Sequence, residues 1–418
     1  REITTGIQNT LIGGLAGDAI TDGKYNIALG KSALSADTSG NRSIAIGLGA
    51  LETQNFTSDT DVYNIGIGHR AGTAVTTGTQ NVLIGGLSGD AITTGANNVA
   101  MGTSSLGTCT TGTYNVALGD SALFATTTAS NNTAVGGGAL AANTTGASNA
   151  AVGYRALTTN TTAINCTALG KDALYANTTG GDNTGVGYNS LAANTTGASN
   201  TAVGALAGDT VSTGVENTLI GYAAGAYEND LTTGSANTVM GAYARTSSAT
   251  VSNEIAIGRY VLGQGALTAT VGVSGNGATI SIDGSDTSWA AHSDQRLKEN
   301  ITTSTAGLSF INDLRPVTYT WKAKNAISED FVNYYDADST DPVNGVAGKT
   351  YHGFLAQEMK ATIDAHSEVA DGNNLWAERV DDIQQLAPGN LVPMLVKAIQ
   401  EQSALITSLT ARVAELEG

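Results

Sequence analysis

Asn200-Thr201-Ala202-Val203-Gly204 (NTAVG) is one copy of a motif that recurs along the first 258 residues. The motif usually begins with Asn, and continues with any residue, then Ala, Leu or Gly, then an aliphatic residue and glycine. Of the fourteen intervals between these glycines, twelve are 17 residues long, and the others are 21 and 20. Repetition this regular predicts a solenoid. The glycines are Gly13, Gly30, Gly47, Gly68, Gly85, Gly102, Gly119, Gly136, Gly153, Gly170, Gly187, Gly204, Gly221, Gly241 and Gly258.

The composition of each repeat favours β-strands over helices. A short alternating strand is often followed by a leucine four residues after the glycine, and then by a Thr-Thr-Gly turn. Short strands separated by Gly, Asn and Thr turns fit one coil of a parallel β-solenoid. A helical repeat needs roughly 30 or more residues. Fifteen coils at about 4.8 Å each predict a shaft of roughly 70 Å.

The core of such a shaft is expected to be thin. One aliphatic residue and one leucine per coil stack into too small an apolar core for a lone chain of this length. Further copies of the same chain are expected to complete that core. The repeated N-x-A-(I/V)-G pattern also resembles the head of trimeric autotransporter adhesins, a three-chain left-handed β-roll. That resemblance implies a homotrimer.

The last third of the chain carries four segments that match a second family in the right order. The first is Ser293-Asp294-Gln295-Arg296-Leu297-Lys298-Glu299-Asn300-Ile301. The others are Leu308 to Trp321 (LSFINDLRPVTYTW), Tyr351 to Met359 (YHGFLAQEM) and the stretch from Leu391 onward (LVPMLVKAIQEQ). Together they resemble the self-cleaving intramolecular chaperone domain of phage tail fibres and tailspikes. In that family the chain cuts itself immediately before the serine, which here implies the His292–Ser293 bond.

The chemistry that the resemblance implies is a Ser293–Lys298 dyad. Ser293 is the nucleophile, and Lys298 is the base once desolvation or a nearby positive charge has lowered its pKa. Arg296 is a candidate for that charge, and Asp294 is a second supporting residue. An i,i+5 pair meets on neither a regular helix nor a strand, so the chain bends between the two residues or two subunits supply them. The alternative is that Ser293-Asp294 caps a helix and Lys298 is a solvated charge.

A helix is predicted from Asn390 to the end of the chain. Its apolar residues follow an a/d heptad, with Gln402 as the polar exception, which predicts a coiled coil. β-branched residues at a with leucine at d favour dimers, whereas both resemblances imply a trimer. The predicted trimerisation residues are Val392, Leu395, Ile399, Gln402, Ile406, Leu409, Val413 and Leu416.

Composition excludes several classes of partner. The net charge is −17, with no basic run, which argues against nucleic acid and anionic membranes. No apolar stretch is long enough to insert into a bilayer. Cys109 and Cys166 are expected to be small buried fillers, and neither a metal site nor a cofactor is predicted. The chain starts at Arg1 without Met, so an N-terminal region that attaches to the virion tail is expected to be missing.

The predicted fold class is mainly β: a trimeric parallel β-solenoid shaft followed by an α+β chaperone domain that ends in a coiled-coil helix. The predicted domains are the shaft (1–258), a β-hairpin junction (259–292), the chaperone and autoprotease core (293–390) and the coiled-coil helix (391–418).

The predicted function is that of a phage tail fibre in the virion, assembled in the host cytoplasm, which binds a host surface glycan or protein. Insertions at 52–63 and 226–237 lengthen two coils, and solenoid insertions often form binding loops on one face; neutral loops are the equal alternative. A bacterial surface adhesin ranks lower because a C-terminal anchor barrel is not seen. A polysaccharide depolymerase ranks lower because no two carboxylates fall in register on adjacent coils.

Overall fold

The computed structural model describes residues 5–274, 276–283, 295, 299–329, 335–344, 346–370, 375–378 and 384–417. The chain divides into two compact units, which we call the shaft unit (Arg1–Ser293) and the C-terminal unit (Asp294–Gly418).

The shaft unit is a parallel β-solenoid of about 15 turns, as predicted. Each turn contributes one three-residue strand to a single sheet, and each strand pairs in parallel with the strand of the next turn. These strands are Thr10–Ile12, Ile27–Leu29, Ile44–Ile46, Ile65–Ile67, Val82–Ile84, Val99–Met101, Val116–Leu118, Thr133–Val135, Ala150–Val152, Thr167–Leu169, Thr184–Val186, Thr201–Val203, Thr218–Ile220, Thr238–Met240 and Ile255–Ile257.

The motif glycine allows successive turns to stack closely. Gly85 has φ 132°, in the region that favours glycine, and a Cβ built on it would lie 2.5 Å from the carbonyl oxygen of Gly102 in the next turn. Any larger residue would therefore push the turns apart, since both the backbone conformation and the space exclude a side chain.

The core of the shaft differs from the expectation in one respect. The leucine four residues after the glycine is fully buried, as in Leu123 and Leu157, but the strand residue that faces it is the alanine of the motif, such as Ala134. The aliphatic residue before the glycine points outward instead, and Val203 is 38% exposed. The prediction that this aliphatic residue fills the core is wrong. Side chains alternate across a strand, and the narrow interior accommodates the small alanine.

Two ladders of buried asparagines connect the turns. In the first, the amide nitrogen of Asn200 donates to Asn183 Oδ1 at 2.9 Å, and Asn200 Nδ2 donates to the carbonyl oxygen of Gly214 at 2.8 Å. In the second, Asn160 Nδ2 donates to Asn143 Oδ1 at 2.9 Å, and Asn177 Nδ2 donates to Asn160 Oδ1 at 3.3 Å. The ladders satisfy backbone groups that the short strands leave unpaired.

Asn160→Asp is expected to lower the free energy of unfolding by about 3 kcal/mol or more, because an unpaired carboxylate is buried. The new oxygen would face Asn143 Oδ1 and the carbonyl oxygen of Ala163, both of which now accept from Asn160 Nδ2. Chemical unfolding followed by circular dichroism measures the change. Asn131→Asp, at an exposed position of the same shaft, is the control, and equal unfolding midpoints for the two variants would contradict the role of the ladder.

A hairpin follows the last turn of the solenoid. Thr268–Val273 pairs in parallel with Ile255–Ile257 on one side and antiparallel with Asn276–Ser281 on the other. The alternating sequence on either side of Ser-Gly-Asn-Gly predicted this hairpin.

The C-terminal unit is an α+β structure with small two-stranded sheets. Helix α1 spans Leu308–Asp313, α2 spans Ala356–Ala365, α3 spans Ser367–Ala370 and α4 spans Val392–Glu417. The 3-10 turn Pro388–Leu391 precedes α4, so the long helix starts two residues later than predicted. The strand pairs are Val317–Tyr319 with Tyr351–Gly353 and Trp376–Glu378 with Gln384–Leu386, and a further 3-10 turn spans Lys324–Ala326.

Candidate functional site

The predicted cleavage site lies outside the described residues. This applies to His292, Ser293, Asp294, Arg296 and Lys298. The dyad, the scissile bond and the two supporting residues therefore stay predictions from sequence.

The part of the C-terminal unit that follows this site has an apolar core built on Phe310 of α1 and on Met359 and Ile363 of α2, all at most 4% exposed. His366 lies edge-on to Phe310 at 5.4 Å. Its ring nitrogens contact carboxylates at both ends, Glu368 at 2.9 Å and Asp313 at 2.8 Å.

These hydrogen bonds, with Glu368 the stronger influence, raise the pKa of His366. Protonated His366 therefore stabilises the C-terminal unit at pH below its ordinary pKa. This contribution is lost as the pH rises through the raised value.

Helix α4 packs on α1 through its first turns and leaves its apolar seam open. Glu401 Oε2 accepts from the amide nitrogen of Leu308 at 2.8 Å, at the start of α1, and Ala398 is buried. The seam residues Ile399, Ile406 and Leu409 are 60–64% exposed. The rest of the predicted set is exposed as well: Val392, Leu395, Gln402, Val413 and Leu416.

The strand face of the shaft unit is a second uncovered apolar surface. The aliphatic residues that precede the motif glycines form a row along the shaft, one per turn, and we call it the aliphatic row. About half of its members are more than a third exposed, and the others are half-buried. The exposed members are Ile12, Leu29, Met101, Val152, Leu169, Val203 and Met240.

The two insertions lie at different corners of the coil. The extra residues of the first insertion come late in the turn. Thr60–Asp61 already pairs with Gly40–Asn41 of the preceding turn, so the added residues lie before Thr60 and therefore before the strand Ile65–Ile67. The extra residues of the second insertion come after the strand. In the preceding turn the amide of Val211 donates to the carbonyl oxygen of Gly208, and the equivalent bond here runs from Leu231 to Gly225. This bond encloses three more residues, which are the inserted ones.

The first insertion forms a polar corner in which the cations are paired. The Arg42 guanidinium lies over the rings of Tyr25 (4.8 Å) and Tyr63 (5.8 Å), and its Nε donates to Asp61 Oδ1 at 3.0 Å. Lys24 Nζ donates to Asp59 Oδ2 at 3.1 Å.

Buried Asp37 anchors the start of this loop by accepting from the amide nitrogen of Phe56 at 3.0 Å and from Gln54 Nε2 at 2.7 Å. Burial raises the pKa of the Asp37 carboxyl. The corner therefore has a fixed structure supported from the core.

The second insertion gathers four tyrosines into what we call the tyrosine patch: Tyr222, Tyr227, Tyr243 and Tyr260. Tyr243 and Tyr260 are stacked with ring centroids 4.6 Å apart and an interplanar angle of 6°. Tyr222 and Tyr227 lie edge-on to Tyr243 at 5.1 and 5.0 Å, and Tyr227 lies 5.7 Å from Tyr260. Sequence reasoning missed this patch, although four of the 14 tyrosines fall between residues 222 and 260.

The second insertion also carries acidic residues. Partial burial and the charge of Asp230, in the insertion, raise the pKa of Asp209 to about 6. Asp230 belongs to the insertion and lies outside the 17-residue register, so the expectation that no two carboxylates fall in register on adjacent coils stays a prediction.

Other chemistry is sparse in the part of the chain that the structure describes. No group of three or more His, Cys, Asp or Glu side chains is placed there to hold a metal ion. Cys109 and Cys166 are both buried and not joined in a disulfide, which is consistent with small core residues, and burial raises the pKa of Cys109 to about 11. None of the described helices is both long and apolar enough to cross a bilayer.

Comparison with known proteins gives a family match in the last third of the chain. Residues 293–367 match the family model described as chaperone of endosialidase. No curated protein and no solved structure matches the chain significantly. The chain thus carries a C-terminal chaperone-of-endosialidase domain, preceded by a β-solenoid of about 15 turns, an organisation consistent with a tail fibre that ends in a chaperone domain.

Proposed function

We propose that the protein is a homotrimeric phage tail fibre that binds a host cell-surface receptor, joins the virion tail through a further N-terminal region, and is assembled in the host cytoplasm. Its C-terminal domain aligns three chains and then cuts itself off between His292 and Ser293. The observation that carries the proposal is the combination of a chaperone-of-endosialidase domain with a β-solenoid whose strand face is apolar and uncovered.

The aliphatic row is the main structural support for a trimer. Each turn presents an outward aliphatic side chain, so the aliphatic row continues along the whole solenoid. A continuous exposed apolar surface of this length is unusual in a monomer and marks a contact with another protein. Three copies related by a threefold axis along the shaft bring three identical rows together.

The seam of α4 supports self-association from the other end of the chain. It is exposed in the single chain although it is apolar at a and d positions, as expected of a helix that pairs with copies of itself. We infer that this coiled coil sets the register. Sliding one shaft by 17 residues preserves most of its contacts, because the turns are nearly alike, so the shaft itself specifies register weakly.

Sedimentation equilibrium is expected to give three chains per particle at micromolar concentration, with no folded monomer. Both apolar surfaces lose their cover when the chains separate, and the thin Ala and Leu core of a lone shaft is insufficient on its own. Leu29→Lys with Val203→Lys, in the aliphatic row, should weaken the trimer, whereas Lys31→Ala, at an exposed position outside the row, should not. A folded wild-type monomer would contradict the proposal.

A polysaccharide depolymerase is the second candidate, and the influence of Asp230 on the pKa of Asp209 favours it. A carboxyl group whose pKa is raised to about 6, together with a second carboxyl group, is the pairing used in glycoside hydrolysis. A reducing-end assay on bacterial polysaccharides tests this function, and Asp209→Asn with Asp230→Asn should then abolish the release of reducing ends.

A further inference from the structure

We propose that the tyrosine patch is a carbohydrate-binding site for a neutral or amino-sugar polysaccharide. This inference rests on the proposed function, and it places the receptor contact on one corner of the shaft.

The patch is not required by the fold of the solenoid. Tyr243 and Tyr260 occupy the second position after the motif glycine, where other turns carry Ala223, Leu206 or Asn189, so the turn accepts unrelated side chains there. The shaft core is built from Ala and Leu, not from aromatic residues. Tyr222, at the first position after the glycine, is 45% exposed.

The patch is also distinct from the aliphatic row. Its members come after the motif glycine or in the insertion, whereas the row belongs to the strands that precede the glycine. The insertion contributes Tyr227, whose ring is edge-on to both Tyr243 and Tyr260. The extra residues therefore add one ring to those of three neighbouring turns.

The geometry of the rings suits sugars. Each of the four rings lies 4.6–5.7 Å from at least one other, so the rings support each other in fixed orientations. Tyrosine also loses little conformational entropy on binding because it has two χ angles. A pyranose presents apolar C–H faces and a rim of hydroxyl groups. Tyrosine matches both, with an apolar ring and a polar hydroxyl.

Charged groups surround the rings on more than one side. The Arg245 guanidinium lies 5.6 Å from the Tyr227 ring and is paired with Glu228 at 3.0 Å, and the Arg259 guanidinium lies 4.8 Å from the Tyr260 ring. Carboxylates and guanidinium groups are strong partners for sugar hydroxyls.

The balance of charge selects the kind of sugar. Of the two arginines beside the rings, Arg245 is already paired with Glu228, and the insertion carries a second acid, Asp230, whose charge acts on Asp209. An acidic polysaccharide meets repulsion at such a corner, whereas a neutral chain does not and a protonated amino sugar is attracted.

The test uses the full-length trimer on an array of purified bacterial polysaccharides that includes neutral, amino-sugar and acidic chains. Tyr243→Ala with Tyr260→Ala is expected to weaken binding at least about 10-fold, since loss of central aromatic anchors has effects of this size. Ala223 shows that the turn tolerates alanine at this position. Tyr243→Phe should retain most of the binding because the ring remains.

Tyr114→Ala is the matched control. Tyr114 is 61% exposed on the same shaft, and no ring contact to it occurs among the described residues, so its removal should leave binding unchanged. Sedimentation of each variant checks that the trimer persists.

Three outcomes would overturn the inference. The first is binding confined to acidic polysaccharides or to protease-sensitive surface material, which leaves the receptor-binding function standing but not this ligand class. The second is unchanged binding by the double alanine variant. The third is dissociation of the trimer by that variant, which would make the patch a contact between chains. If the wild-type trimer binds no bacterial surface material at all, the receptor-binding function fails as well.

Discussion

Ser293→Ala is expected to leave the 418-residue chain intact, whereas the wild-type chain yields a shaft ending at His292 and a fragment of 126 residues (418 − 292) beginning with Ser293. Without the hydroxyl no nucleophile attacks the scissile carbonyl, so the rate should fall at least about 10³-fold. Intact-mass spectrometry of purified protein measures both products. Ser304→Ala, a serine 11 residues further on, should cleave normally.

Lys298→Arg separates catalysis from structure more sharply than Lys298→Ala. Arginine keeps the positive charge and most of the bulk, but it does not deprotonate in proteins and cannot act as the base. We therefore expect both lysine variants to stop or greatly slow the cut. Efficient cleavage by Lys298→Arg would reject Lys298 as the base and leave Ser293 as the candidate nucleophile.

All three variants are expected to remain trimeric. In our proposal alignment depends on α4 and on the packing of the C-terminal unit, and not on the Ser293–Lys298 dyad. Loss of the cut without loss of assembly would show that the two activities of the domain are separable.

Ile399→Asp with Ile406→Asp, made in the uncleaved chain, is expected to give aggregated or misregistered shafts instead of soluble trimers. Both isoleucines are at least 60% exposed in the single chain, so the carboxylates are well solvated until the chains associate. In a trimer six of them would be buried in one seam, and each buried charge costs several kcal/mol. Size-exclusion chromatography with light scattering measures the outcome.

Ala404→Asp with Ala411→Asp is the matched control for this experiment. It adds the same charges at the same seven-residue spacing on an exposed face of α4 away from the seam. This control should assemble like the wild type. Normal trimers from the seam variant as well would show that the coiled coil is dispensable for alignment.

The consequence for the mature fibre is kinetic. If the coiled coil aligns three chains and the cut then removes it, the shaft keeps its correct register but loses the element that established it. Such a fibre is held by the barrier to unfolding and not by an equilibrium with free chains. Purified cleaved shafts should therefore fail to recover trimers after denaturation, in contrast to the uncleaved Ser293→Ala protein.

The period of 17 residues determined the solenoid and its single strand per turn from sequence alone, because every turn repeats the same local turn chemistry. The heptad spacing of α4 and the alternation around the hairpin were readable for the same reason: they are local and periodic. The four ordered segments after Ser293 indicated the chaperone domain, which the family match to residues 293–367 supports.

Tertiary structure alone decided which side of the strand is inside. Ala202 and Val203 are both apolar, so a period of two does not reveal which of them faces the core; closure of the turn buries alanine and leaves valine outside. It also decided what the second insertion brings together, since the ring of Tyr227 contacts that of Tyr243 in the neighbouring turn. Contacts between turns depend on how far each loop departs from the repeat, and that displacement is a property of the folded backbone.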